Sequence, residues 1–131
     1  MFFDRLVNSG PVPVLEQTLR FTASRHKLLA ENVANIDTPF YQQKDMDETA
    51  FQAQLSNRVE QRDSFGWANF GDVSMETQTP KRGILFHDGN NRSAEELMTN
   101  MAKNALTHNL CIELLRKQYA TMEMALKERV S

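Results

Sequence analysis

The residues best able to do chemistry in this chain are three histidines, His26, His87 and His108, and one cysteine, Cys111. A pair of imidazoles can share a metal ion or relay a proton, and a thiolate activated by a nearby base can act as a nucleophile. The spacing supports neither role. The three histidines stand well apart from one another in the sequence, and no HExxH, CxxC, GxSxG or phosphate-binding loop occurs. His26 and His108 would meet only if two helices placed them opposite each other. The simpler expectation for each is a place in a packing seam with one hydrogen bond. A single cysteine cannot form an intrachain disulfide, and Cys111 is expected to be a small packed side chain. The sequence therefore nominates no catalytic residue, metal or cofactor.

Charge and composition narrow the classes further. With 15 basic and 17 acidic residues in 131, the net charge is -2, and no Lys- or Arg-rich block builds a field for nucleic acid. No run approaches the roughly 18 apolar residues needed to span a membrane. The N-terminus MFFDRLVNSGPVPV lacks a basic region followed by an apolar run, so it is not a conventional secretory signal.

Two elements dominate the chain. After a tail over residues 1–10, Pro11 suits a first helical turn, and Val12, Leu15, Leu19, Thr22, His26, Leu29, Val33 and Ile36 follow in alternating steps of three and four. This predicts a helix over 11–37, ending before Pro39, because the residue preceding proline is driven out of the α region. A second helix is predicted over 93–131. Asp88, Gly89, Asn90 and Asn91 form a turn, and Ser93 with Glu96 has the spacing of a capping box. Met98, Met101, Ala105, His108, Ile112, Leu115, Tyr119, Met122 and Leu126 then repeat the three-four pattern, and three of the seven methionines fall on such positions. The fold class expected is mainly α, with long N- and C-terminal helices pairing as a coiled coil.

Residues 38–92 are more polar and form a central arm or small subdomain. A short helix is expected with Asp45 or Asp47 as its cap and Phe51, Leu55 and Val59 on one face. Short β elements are compatible with the remainder. Phe65, Trp67, Phe70, Ile84 and Phe86 could build a small core, or the segment could remain an extended arm. Two apolar rows are left over once the helices pair through their seams: Val14, Phe21 and Leu28 on the first helix, and Leu106, Leu110 and Leu114 on the second. Either the central segment folds back over them or neighbouring subunits do. The expectation is that neighbouring subunits cover them, which makes these six residues subunit-interface faces.

The stretch NVANIDTPFY resembles the N-A-N-x-x-T-x-G-Y signature of the axial proteins of the bacterial flagellum, the rod, hook and their relatives. Asn32, Ala34, Asn35, Thr38, Pro39 and Tyr41 occupy its positions. Phe40 stands where that family usually has glycine, and a phenylalanine resists the positive φ that glycine allows, so another turn geometry or an aromatic aimed at a neighbour is expected. Asn32 and Asn35 are expected to satisfy last-turn carbonyls or backbone on a neighbour, with Tyr41 opening an arm toward the next subunit. DGNN before the C-terminal helix, with the short length, resembles the proximal rod group. The resemblance implies a non-enzymatic structural subunit of a hollow drive shaft in the periplasm, exported by the flagellar type III system without a cleaved signal. It implies as partners copies of the chain, other rod proteins, and the export-gate and basal-ring adaptor at the rod base. The alternatives are another axial subunit, or a soluble coiled-coil adaptor or chaperone.

Overall fold

The computed structural model describes residue 5, residues 7–79 and residues 94–130. It is mainly helical, with a small two-stranded sheet. In chain order the elements are α1 (Val12–Ala34), β1 (Asp45–Met46), α2 (Glu48–Phe65), β2 (Thr77–Gln78) and α3 (Ala94–Val130).

Each helix begins and ends where its sequence requires. Pro11 precedes α1 in αR conformation, and Asn35 closes α1, its N–H donating to the Glu31 carbonyl at 3.1 Å while the Ile36 N–H donates to that of Val33 at 3.3 Å. The helix stops short of 37, because Asn35, Asp37 and Pro39 all favour turn over helix. Asp47 caps α2, its carboxylate accepting from the Ala50 N–H at 2.9 Å. Gly66 ends α2 with φ 83°, a left-handed conformation open to glycine, and its N–H bonds the Arg62 carbonyl at 2.7 Å. The long α3 carries Glu95 and Glu96 in its first turn and Lys127 and Arg129 in its last, the arrangement its dipole favours.

α1 is the central element. Tyr119 meets Glu16, and His108 and Asn104 meet Thr22, so α3 runs antiparallel to α1. Arg25 meets Glu48, while Arg62 reaches the carbonyl of Gly10 at 2.7 Å, so α2 is also antiparallel to α1 on another flank. Between α1 and α2 lies a core of Phe21, Met46, Phe51, Leu55, Phe70 and Val73, with Val14, Leu28 and Val59 packed against it. Phe21 and Phe51 stack with ring centroids 4.2 Å apart. Burying such rings contributes up to about 3 kcal/mol each.

β1 and β2 pair antiparallel, Asp45 opposite Gln78 and Met46 opposite Thr77. The loop between α2 and β2 is tied to α2 by the Ser74 N–H to Gln54 (2.8 Å) and by Arg58 to Asp72 (2.9 Å). Of the small core considered for this segment, Phe70 is buried, but Phe65 and Trp67 are exposed. The Arg62 contact with Gly10 sets the end of α2 level with the start of α1, which leaves Phe65 nothing of α1 to pack on. Ile84 and Phe86 lie outside the described residues.

Candidate functional site

The signature stretch forms a clamp rather than an outgoing arm. Asn32, on the last turns of α1, is 2% exposed. Its amide nitrogen donates to the Lys44 carbonyl (2.6 Å), and its amide oxygen accepts from the Lys44 N–H (3.0 Å) and the Tyr41 hydroxyl (3.2 Å). The side chain thus pairs with the returning backbone as a strand would. Asn35 does what was expected of it, donating to the Glu31 carbonyl at 2.9 Å, and it also accepts from the Thr38 hydroxyl at 3.2 Å. The turn closes with the Thr38 N–H to the Asn35 carbonyl and the Tyr41 N–H to the Thr38 carbonyl. Asn32 bonds the Lys44 backbone and the Tyr41 hydroxyl instead of a last-turn carbonyl, and residues 41–46 fold back along α1. Burial, then the nearby Glu31 charge, raises the Tyr41 phenol above its ordinary pKa.

Phe40 takes the glycine conformation after all, at φ 62°, with its ring 78% exposed. The other-geometry expectation is therefore corrected. The hydrogen bonds on either side dictate the turn, and the residue accepts the left-handed strain.

About two turns back along α1 from Asn32, Arg25 holds the returning strand. Its guanidinium donates from Nε and Nη2 to the two carboxylate oxygens of Asp45, both at 2.8 Å, and from Nη1 to Glu48 at 3.2 Å. The Asp45 hydrogen bonds, against an opposing desolvation, keep the Arg25 pKa above its already high value. A forked pair of this kind fixes orientation as well as distance. No spacing argument singled out Arg25, because its partners are 20 and 23 positions away.

The α1–α3 contact turns on Thr22. Its hydroxyl donates to the Leu19 carbonyl (3.0 Å), so the Nδ1 of His108, 2.8 Å away, carries the proton and donates to it. Asn104 donates to the Thr22 carbonyl at 2.8 Å. Leu29 is buried here, and Leu15, Leu19 and Val33 are half-buried. On α3 the inward positions are Leu97, Met101, Asn104, His108, Cys111, Leu115, Gln118 and Met122, a strict four-three alternation. The expected set shares Met101, His108, Leu115 and Met122 but is displaced by one residue at the alternate positions. Met98 and Tyr119 are exposed, and Ala105, Ile112 and Leu126 are half-buried. Asn104 and Gln118 hid the true row because they are polar. Burial raises the pKa of the Cys111 thiol, and the Glu16 hydrogen bond raises that of Tyr119.

The two leftover rows separate. Phe21 is in the α1–α2 core and Val14 and Leu28 pack against it, so these three are not subunit-facing; the central segment covers them. Leu106, Leu110 and Leu114 remain 70%, 58% and 41% exposed. Asp88, Gly89, Asn90, Asn91 and Ser93 lie outside the described residues, and Glu96 is exposed on the first turn of α3. Among the described residues no cluster of His, Cys, Asp and Glu could hold a metal ion, and no helix is long and apolar enough to cross a membrane. His26 is exposed and does not reach the Thr22 contact. The charged groups at the clamp are engaged in holding backbone in place.

No family model matches the chain. Curated relatives do. The flagellar basal body rod protein FlgB of Bacillus subtilis (strain 168) is 26% identical over 121 residues, spanning 90% of this chain and 94% of that protein. The protein of the same name from Yersinia enterocolitica is 28% identical over 137 aligned positions, 91% and 95% of the two chains, and that of Aquifex aeolicus (strain VF5) is 26% identical over 118, 90% and 94%. These relatives define a structural component of the bacterial flagellum rather than an enzyme, and the helices tied by side-chain clamps suit that role. More narrowly, the chain is a FlgB-like flagellar basal body rod protein.

Proposed function

We propose that this rod subunit belongs to the proximal rod, where it assembles with copies of itself and with other rod proteins into a hollow shaft that transmits torque. The observation that carries this reading is the exposed leucine row of α3 beside an otherwise closed α1–α2 core. A row of three large apolar side chains left in water forgoes several kcal/mol, which burial between subunits would recover. α1 and α3 act in it as a short antiparallel coiled coil, supported by the four-three alternation on α3. Helix pairs of this length depend on their packing partners, which suits export through the flagellar type III system without a cleaved signal and ordering at the growing end. The rod base, with its export-gate and basal-ring adaptor, is then its lower neighbour in the periplasm.

Two substitutions in the full chain test this in the parent bacterium. Leu110→Asp leaves the thermal unfolding midpoint of the purified chain nearly unchanged and blocks rod assembly and motility. Phe21→Asp, by contrast, puts a carboxylate in the α1–α2 core and unfolds the chain, so it fails at a different step. Full motility with Leu110→Asp refutes the assignment of this face to assembly.

A further inference from the structure

The leucine row on α3 has charged ends. Lys103, Leu106, Leu110, Leu114 and Lys117 follow at steps of three, four, four and three, so they share one side of the helix. The two lysines are about 21 Å apart along the axis. Both are exposed, and neither ammonium is in an ion pair among the described residues. The carboxylate at the edge of the row, Glu113, is bound to Arg116 at 2.9 Å. At its Leu106 end the row opens into a groove of about 440 Å³ between α2 and α3, floored by Phe21 and Thr22 and walled by Phe51 and Leu55.

This pattern discriminates between partners. The row is symmetric about Leu110, so a two-fold antiparallel contact between copies would set Lys103 against Lys117 at both ends. A parallel contact would set each lysine against itself. Like charges meeting at the rim of an apolar contact oppose it. The exposed sides of the other described helices carry acidic groups, Glu31 on α1 and Glu60 and Asp63 on α2, but no row of large apolar side chains to lie on the leucines; the one such exposed residue on either helix is Phe65, at the end of α2.

The geometry points to a helix of a different polypeptide as the occupant of this face: an amphipathic helix whose apolar row is bracketed by carboxylates about fourteen positions apart. It lies along α3, its apolar side chains cover Leu106, Leu110 and Leu114, its acidic ends meet Lys103 and Lys117, and one side chain enters the groove. The inference rests on the rod reading and specifies which partner that reading requires.

A photo-crosslinking residue at position 110 of the full chain, expressed in the parent bacterium, tests it, with basal bodies purified and crosslinked peptides identified. The expected product joins position 110 to a carboxylate-flanked helix of another protein. The double reversal K103E/K117E lowers both crosslinking and incorporation about tenfold or more, while K103R/K117R keeps both; circular dichroism melting of the two purified variants is unchanged, since both sites are exposed. Incorporation and crosslinking of the charge-reversed chain at the unsubstituted level overturn the proposal, as does a crosslink to a peptide of this chain. Absence of the unsubstituted chain from purified basal bodies removes the rod reading itself, and the proposal with it.

Discussion

The side-chain amide of Asn32 is bonded to both polar groups of one residue, the N–H and the carbonyl of Lys44, at 3.0 and 2.6 Å. A helical side chain here substitutes for a neighbouring strand. It turns the chain back on α1 so that Asp45 reaches Arg25 and Glu48 opens α2 beside it. The asparagine is thereby the hinge point of the fold's second half, and its near-complete burial means water cannot take over its bonds.

Asn32→Ala removes both of those hydrogen bonds and the one from the Tyr41 hydroxyl, and leaves the Lys44 backbone groups to find water in a confined place. The expected loss is about 2–4 kcal/mol in urea unfolding. Amide exchange at Lys44 should accelerate more than at residues of α3, which distinguishes loss of the clamp from general loosening. Equal stability of the variant and the parent would show that the clamp does not hold this segment.

Phe40 is strained and mostly in solvent, so little packing is lost when it is changed. Phe40→Gly relieves the left-handed conformation, worth about 1–2 kcal/mol, against the extra unfolded-state freedom of glycine, about 0.5–1 kcal/mol. The net expectation is a gain of up to about 1.5 kcal/mol, seen as a higher thermal midpoint. Phe40→Val, branched at Cβ, should lower the midpoint.

The chain has two tyrosines, and both phenols are shifted upward, Tyr119 chiefly by its 3.0 Å hydrogen bond to Glu16 and Tyr41 chiefly by burial. A group whose folded pKa is raised contributes stability that is whole below its unfolded pKa, about 10 for tyrosine, and that is lost as pH climbs through the folded value. Alkaline titration followed by absorbance near 295 nm should therefore lag in the native protein relative to the chain in urea. Tyr119→Phe should leave only the Tyr41 step. A native titration coincident with that in urea would contradict both contacts.

Much of the candidate site was legible in residue types. The helix stop at Asn35 to Pro39, the Asp47 cap and the inward face of Phe51, Leu55 and Val59 all follow from local rules that need no distant partner. The α3 seam was half legible: the row through Met101, His108, Leu115 and Met122 is apolar enough to be seen, whereas Asn104 and Gln118 are polar and disguise its companion. Asn104 goes inward because the Thr22 carbonyl is there to accept from it, a fact with no trace in its own neighbourhood of the sequence.

By itself the chain of residues determined the two long helices and the stop of the first between Asn35 and Pro39, because periodicity, proline and side-chain bonding to nearby backbone act over one or two turns. Tertiary structure alone decided which of two apolar rows would be hidden. Phe21 found Phe51 and was covered, while Leu106, Leu110 and Leu114 found no such ring and stayed in water. The reason is that burial belongs to pairs of surfaces: a helix can carry two greasy sides, and only the position of its neighbours chooses between them.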